Sequence, residues 1–223
     1  MWNEKTTNKC LSILTNFGCH FSCPYCVVSW WGFDIHKTTV EGLQGLEKAI
    51  VENGITRISI SGGGDPFYEL EKHTDWWNRL FDILDNHDID LELHTSYLPD
   101  TFEEDSMVFY PFAKVVYHCR NIEDLFGIKR VVGQKVRVVY VVTEAATEEK
   151  IDAIATIVKY HPEIDELSFR QMVDNNFEPT HHCEDYLKAG HGDRWFYIQQ
   201  GDYNLYYAEN QVTCRYEDFR KKR

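Results

Sequence analysis

The run Lys135-Val136-Arg137-Val138-Val139-Tyr140-Val141-Val142-Thr143 decides the fold class. After Arg137 it is apolar almost continuously, and nearly every residue is β-branched or aromatic. Such a run marks a strand buried on both faces, the habit of parallel strands covered by helices. Downstream, Thr147 can cap a helix with Ile151, Ile154, Ala155 and Val158 on its stripe; Pro162 lies just past its end. Another strand follows over residues 166–172. Upstream, strands are predicted over residues 114–118, 90–95, 56–61 and 10–16. A helix capped by Thr38 or Thr39 runs to about residue 53, where Gly54 ends it. A second, over about residues 70–86, buries Trp76, Trp77, Leu80, Phe81 and Leu84. Short helical turns fit residues 100–110, between Pro99 and Pro111, and 122–126.

Strands alternating with helices predict β/α units and a parallel sheet. Right-handed crossovers would curl it into a barrel or part of one. The expected fold is α/β, a partial (β/α)6 TIM-like barrel. After residue 175 the pattern changes. Residues 195–199 and 203–208 read as a hairpin with Gly201-Asp202 in its turn. The expected division is a core barrel over residues 1–175 and a C-terminal extension over residues 176–223 packed on it.

The 223 residues carry 23 Lys and Arg against 36 Asp and Glu, a net charge of −13. That balance argues against attraction to a nucleic-acid backbone. The basic end Arg220-Lys221-Lys222-Arg223 reads as a solvated terminus. No apolar segment approaches the roughly 20 residues that span a bilayer, and the first residues lack a secretory apolar region. The default compartment is the cytoplasm, where seven cysteines suggest metal or catalytic roles for some of them, not a disulfide framework.

Three of these cysteines sit close together in Cys19-His20-Phe21-Ser22-Cys23-Pro24-Tyr25-Cys26, just after the first predicted strand. Spacing C-x3-C-x2-C can hold three corners of a four-iron cubane, which four cysteines normally hold. No fourth lies nearby, so one iron would stay open to a small molecule. Two other readings stand beside this one. Cys23-Pro24-Tyr25-Cys26 is identical to the glutaredoxin active-site tetrapeptide, which leaves Cys19 unexplained. A zinc site would need a fourth ligand such as His20.

C-x3-C-x2-C, with aromatic Tyr25 just before the last cysteine, resembles the signature of the radical S-adenosylmethionine (radical SAM) superfamily. Ser61-Gly62-Gly63-Gly64-Asp65-Pro66, at the end of the second strand, resembles that family's glycine-rich methionine-binding motif. The resemblance spans about residues 8–175 and implies the same partial barrel. It implies that Cys19, Cys23 and Cys26 bind three irons of a [4Fe-4S] cluster, and that the methionine end of SAM chelates the fourth. Tyr25 would lie near the adenine, and Gly62, Gly63 and Gly64 would let backbone approach the methionine. Asp65 stands where the family often has Glu. Thr95, Ser96, His118, Arg120, Thr143 and Arg170 are the candidates for SAM's ribose and carboxylate. Arg170 is the best of them for an anionic group.

The resemblance further implies reduction by a flavodoxin or ferredoxin, formation of a 5′-deoxyadenosyl radical, hydrogen abstraction from a substrate, and oxygen sensitivity. No catalytic residue for the substrate step is assigned. Val27-Val28 after the last cysteine departs from 7-carboxy-7-deazaguanine synthases and from glycyl-radical activating enzymes alike. The aromatics Trp30, Trp31, Phe33, Trp195, Tyr197, Tyr203, Tyr206 and Tyr207 tilt the expectation toward a nucleoside- or base-like substrate, although hairpin packing explains them equally. A peptide or protein substrate is the alternative, and a non-catalytic Fe–S or thiol electron carrier the alternative from another class. Cys183 and Cys214, with His181 and His182, read as buried or free thiols before a second metal site.

Overall fold

A computed structural model describes residues 10–30, 33–98, 106–174, 176, 178–199 and 205–219. They form two compact units, one drawn from residues 5–97 and 203–223, the other from residues 98–202. The basic tail, Gly201-Asp202, Trp31 and Tyr203 lie outside the described residues.

In the first unit, β1 (Cys10–Thr15), β2 (Arg57–Gly62) and β3 (Asp90–Thr95) are parallel, with β2 between the other two. Leu11, Ile13, Ile58, Ile60, Leu91 and Leu93 alternate onto one face and are at most 6% exposed. They are buried with the apolar sides of α2 (Leu46–Asn53) and α3 (Thr74–Leu84), which follow a short α1 (Val27–Trp30). Each such aliphatic side chain contributes about 1.5–3 kcal/mol on burial.

Gly54 ends α2 in the left-handed region at φ 58°. The helix predicted from residue 38 starts instead as a 3-10 turn, Glu41–Leu43, with the Thr39 hydroxyl accepting from the Gly42 N–H at 3.0 Å. The Gly42 carbonyl accepts from the Tyr207 hydroxyl at 2.7 Å and the Asn210 N–H at 3.1 Å, and this tertiary demand breaks the helical ladder.

The predicted hairpin of residues 195–208 is corrected. β8 (Leu205–Ala208) pairs parallel with β1 and antiparallel with β9 (Gln211–Thr213). The hairpin is therefore β8–β9, turning through Glu209 and Asn210 at φ 45° and 65°. β7 (Phe196–Ile198) belongs to the other unit and pairs parallel with β6 (Glu166–Gln171). The segment after residue 175 is thus divided between the units.

In the second unit β4 (Lys114–Cys119), β5 (Lys135–Val142), β6 and β7 are parallel neighbours in that order. β5 is buried from Val136 through Tyr140, as its sequence predicts. Its Arg137, 6% exposed, donates from Nε to Glu166 Oε2 at 2.7 Å; Lys114 Nζ reaches the same oxygen at 3.1 Å. Burial opposes the ionised Glu166, yet Arg137 and Lys114 outweigh it and hold its pKa below the usual value. α4 (Glu148–Tyr160) is capped by Thr147, as predicted, and α5 (Glu184–Ala189) precedes β7. The fold is α/β with mostly parallel strands, and in neither unit does the strand order close into a barrel. No helix among the described residues is long and apolar enough to cross a membrane.

Candidate functional site

The chain leaves β1 under tight control. The Asn16 N–H donates to Thr38 Oγ1 at 2.6 Å, and Asn16 Nδ2 donates to the Ile35 carbonyl at 2.6 Å. Gly18 then adopts φ 123°, and a Cβ there would overlap the Tyr68 ring. The cysteine loop follows. The Cys26 N–H donates to the Cys23 carbonyl at 3.1 Å, and the Ser29 hydroxyl lies 3.4 Å from Cys26 Sγ.

The glycine-rich loop leaves β2 and folds directly onto this segment. The Gly63 N–H donates to the Thr15 carbonyl at 2.8 Å, and the Asp65 N–H donates to the Gly18 carbonyl at 2.8 Å. A Cβ on Gly64 would collide with the Gly18 carbonyl, and one on Gly62 with the Thr15 and Gly64 backbone. Gly63 faces the Ile35 side chain, which a Cβ would meet at 2.8 Å. These glycines are required by the fit of the two loops to each other.

Asp65, Thr95 and Ser96 come together, but not as an open set of ligands. Asp65 is 3% exposed. Its Oδ1 accepts from the Thr95 hydroxyl at 2.7 Å and the Phe67 N–H at 2.9 Å, and its Oδ2 accepts from the Ser96 N–H at 2.6 Å. The Thr95 hydroxyl in turn accepts from the Tyr97 N–H at 3.0 Å. The carboxylate is consumed in bracing the end of β2 to the end of β3.

All three cysteines of the loop are free thiols, Cys19 exposed and Cys23 and Cys26 half-buried. Partial burial pushes the Cys19 thiol up, a hydrogen bond to the Phe21 backbone opposes that, and the charges of Asp65, Cys23 and Cys26 add to the rise. Cys19 therefore feels the charge of both other thiols. Among the described residues no three His, Cys, Asp or Glu side chains form a ready site for a metal ion. His20, the fourth ligand of the zinc reading, lies against two aromatic rings. The His20 ring stacks on Tyr97 at 5.7 Å and meets Tyr68 edge-on at 5.2 Å. The donor set is three thiols from one loop. It suits an iron–sulfur cluster, which spreads its irons over separate corners. Tyr25, inside the loop, is half-buried.

The other four candidates lie at strand ends in the second unit. Pairing of His118 with Val139 and of Val141 with Arg170 puts His118 and Arg170 on one sheet face, both half-exposed. Thr143 follows β5, where its carbonyl accepts from the Ala146 N–H at 3.0 Å. Arg120 follows β4 and lies 3.6 Å from Asp124 in a surface pair. His181 is spoken for at both nitrogens: Nδ1 accepts from the Cys183 N–H at 3.2 Å, and Nε2 shares a hydrogen bond with the Tyr197 hydroxyl at 3.1 Å. Cys183 is buried and Cys214 exposed. Phe33, Trp195, Tyr197, Tyr206 and Tyr207 are at most 6% exposed and so are buried within their own units.

The sequence reading passed over the second face of β1–β3. It carries Ser12, Ser59, Ser61, Glu92 and His94 where a parallel sheet ordinarily carries aliphatics. Polar residues at alternate positions of β2 and β3, with Ser12 of β1, were the available signal; Leu14 interrupts the pattern on β1.

No protein-family model matches the chain, and no curated protein matches it. Solved structures do. Streptococcus suis SuiB bound to precursor peptide SuiA superposes with a TM-score of 0.54 at 15% identity, over 86% of this chain and 48% of that one. A radical SAM methyltransferase from Sphaerobacter thermophilus gives 0.53 at 15% identity, over 92% of this chain and 70% of that one. At such identities the likeness is one of fold. The chain spans about half the length of SuiB.

Proposed function

We propose that the chain is a radical SAM enzyme. One observation carries this reading. The loop bearing three free cysteines is bonded through Gly18 to the glycine-rich loop, at the carboxyl ends of neighbouring parallel strands. Ligands of α/β folds gather at that end. The likeness in fold to a radical SAM methyltransferase supports it.

In this reading Cys19, Cys23 and Cys26 hold three irons of a [4Fe-4S] cluster, and SAM occupies the fourth. Bound there, a reduced cluster and SAM would supply radical chemistry, hydrogen-atom abstraction from a substrate. The chain's own residues position these groups. Gly62, Gly63 and Gly64 keep the second loop against the first. Asp65, through Thr95 and Ser96, fixes the ends of β2 and β3, and so acts by positioning and not by contact. Tyr25 borders the adenine. His118, Arg170 and, less centrally, Thr143 and Arg120 meet the ribose and carboxylate. A flavodoxin or ferredoxin is the reductant, and the site is sensitive to oxygen.

The aromatic cleft that favoured a base-like substrate has no counterpart among the buried rings. Peptide modification is the second reading, favoured by the structure of SuiB with a precursor peptide.

The test is anaerobic reconstitution with iron and sulfide, then dithionite and SAM. The chain should take up about four irons and release 5′-deoxyadenosine, and Cys23→Ala should do neither. A loaded cluster that leaves SAM intact would replace this reading with that of an electron carrier.

A further inference from the structure

Residues 34–39 belong to no helix or strand, so no ladder of their own sets their position. They nonetheless touch both loops of the candidate site. Toward the cysteine loop, Asn16 stands three residues before Cys19. It donates from its N–H to Thr38 Oγ1 and from Nδ2 to the Ile35 carbonyl, both at 2.6 Å. The Thr38 N–H returns a bond to the Asn16 carbonyl at 3.4 Å. Toward the glycine-rich loop, the Ile35 side chain lies so close to Gly63 that a Cβ there would overlap it.

Both ends of this stretch are fastened by residues far along the chain. The Asp34 N–H donates to the Phe219 carbonyl at 2.7 Å. At the other end, Glu209 directs both carboxylate oxygens at Thr39, 170 residues away: Oε1 accepts from its N–H at 3.0 Å and Oε2 from its hydroxyl at 2.6 Å. Gly42 makes room for that carboxylate, since a Cβ on it would overlap the Glu209 oxygens. Asn210 adds to the hold: Oδ1 accepts from the Gly45 N–H at 2.7 Å, and Nδ2 donates to the Glu41 carbonyl at 3.0 Å.

The residues of this turn do not suit its shape. Ala208 pairs with Gln211, so Glu209 and Asn210 form a two-residue hairpin loop, with φ of 45° and 65°. Asn-Gly is the ordinary choice for a loop with both φ positive, and a glutamate there carries a steric penalty that glycine escapes. Glycine would suit the hairpin better. The carboxylate's bonds to Thr39 run outside the hairpin, to the stretch that touches both loops.

We propose that Glu209 is a positioning residue of the cluster site. By fixing Thr39 it holds residues 34–39 against Asn16 and Gly63, and so sets the path along which Cys19, Cys23 and Cys26 present their thiols. The cluster in this proposal rests on the radical SAM reading; the latch rests on the bonds at Asn16 and Thr39.

The test uses the reconstituted full chain and three variants. Glu209→Gly removes the carboxylate and suits the turn. Glu209→Gln keeps an amide that can meet both Thr39 groups, its carbonyl accepting from the N–H and its NH2 donating to the hydroxyl oxygen. Gly42→Ala displaces the carboxylate from the other side and leaves Glu209 in place. Urea denaturation reports stability, and iron released to bathophenanthroline reports how firmly the cluster is held. Glu209→Gly should match or exceed the wild-type urea midpoint, yet lose iron about tenfold faster. Gly42→Ala should lose it about threefold faster, and Glu209→Gln should stay within about twofold of the wild type. A residue that served only the turn would leave iron loss unchanged in Glu209→Gly. The proposal is overturned by that result, by faster iron loss that appears only with a lowered urea midpoint, or by a Glu209→Gln variant no better than Glu209→Gly. Should the wild-type chain take up no cluster, the radical reading fails, and the latch is tested on the reduced, metal-free chain by iodoacetamide alkylation followed at each cysteine by mass spectrometry. Cys23 and Cys26 should then react about threefold faster in Glu209→Gly, with Cys183, buried in the other unit, unchanged. Equal rates at Cys23 and Cys26 overturn the proposal.

Discussion

Two sets of strand ends carry the polar residues that the sequence singles out, and they are built differently. At the ends of β2 and β3, Asp65, Thr95 and Ser96 are spent on one another, with Asp65 3% and Thr95 2% exposed. At the ends of β4, β5 and β6, His118, Thr143 and Arg170 stand half-exposed. A carboxylate 3% exposed with three donors is out of reach of a ligand in bulk, whereas the half-exposed Arg170 lies within reach of solvent. Polar residues at strand ends are therefore of two kinds, those spent on holding a loop and those left facing solvent.

The largest effect that would break this contrast is expected at Asp65. Asp65→Ala leaves the Thr95 hydroxyl and two backbone N–H groups unsatisfied, and should cost about 3–5 kcal/mol in urea denaturation. A variant that kept its stability while losing SAM would return Asp65 to the contact set. Next is Gly64→Ala, whose new Cβ meets the Gly18 carbonyl. A loss of about 2–4 kcal/mol is expected, because backbone must move. Gly54→Ala is its control: nothing lies within 4 Å of a Cβ there, so only the left-handed φ of 58° counts, at about 1 kcal/mol.

On the other side of the comparison, Arg170→Ala and His118→Ala should leave stability within about 0.5 kcal/mol. Equilibrium dialysis of SAM against the loaded protein should nonetheless show weakening of about tenfold for Arg170→Ala. The smallest effect is in pH. Glu166 has a depressed pKa in the folded chain, so its stabilisation is complete above the ordinary glutamate value near 4.3 and is lost as pH falls through the lower folded value. Thermal melts between about pH 5 and 3 should slope less in Glu166→Gln.

The strands were legible because burial writes them plainly. Asp90–Thr95 carries the bounds that its sequence suggests, and β5 is buried where its valines predicted. The cysteine and glycine loops were legible as motifs. The inward turn of Asp65 was not, because its partner Thr95 lies thirty residues on. Nor was the true hairpin. Two short aromatic runs around Gly201-Asp202 satisfy every local rule for a hairpin, and only tertiary pairing sends them to different partners. Glu209 gives no local sign of a turn. It is held at φ 45° with its carboxylate accepting from the Thr39 N–H at 3.0 Å and hydroxyl at 2.6 Å. Glu92 and His94 escaped notice because a polar alternation on a strand looks like a solvated edge.

The pairing of Leu11 with Leu205 puts a clock on the cysteine loop. Those partners are 205 − 11 = 194 residues apart. At about 5–20 residues per second, synthesis separates them by roughly 10–40 s. Throughout that interval one edge of β1 is open to any strand that can pair with it. The thiols emerge early and their supporting strand is flanked on both sides only when β8 arrives. The best protection for this loop in the cell is therefore one that acts during synthesis, by keeping oxidants and stray strands away until the second edge closes.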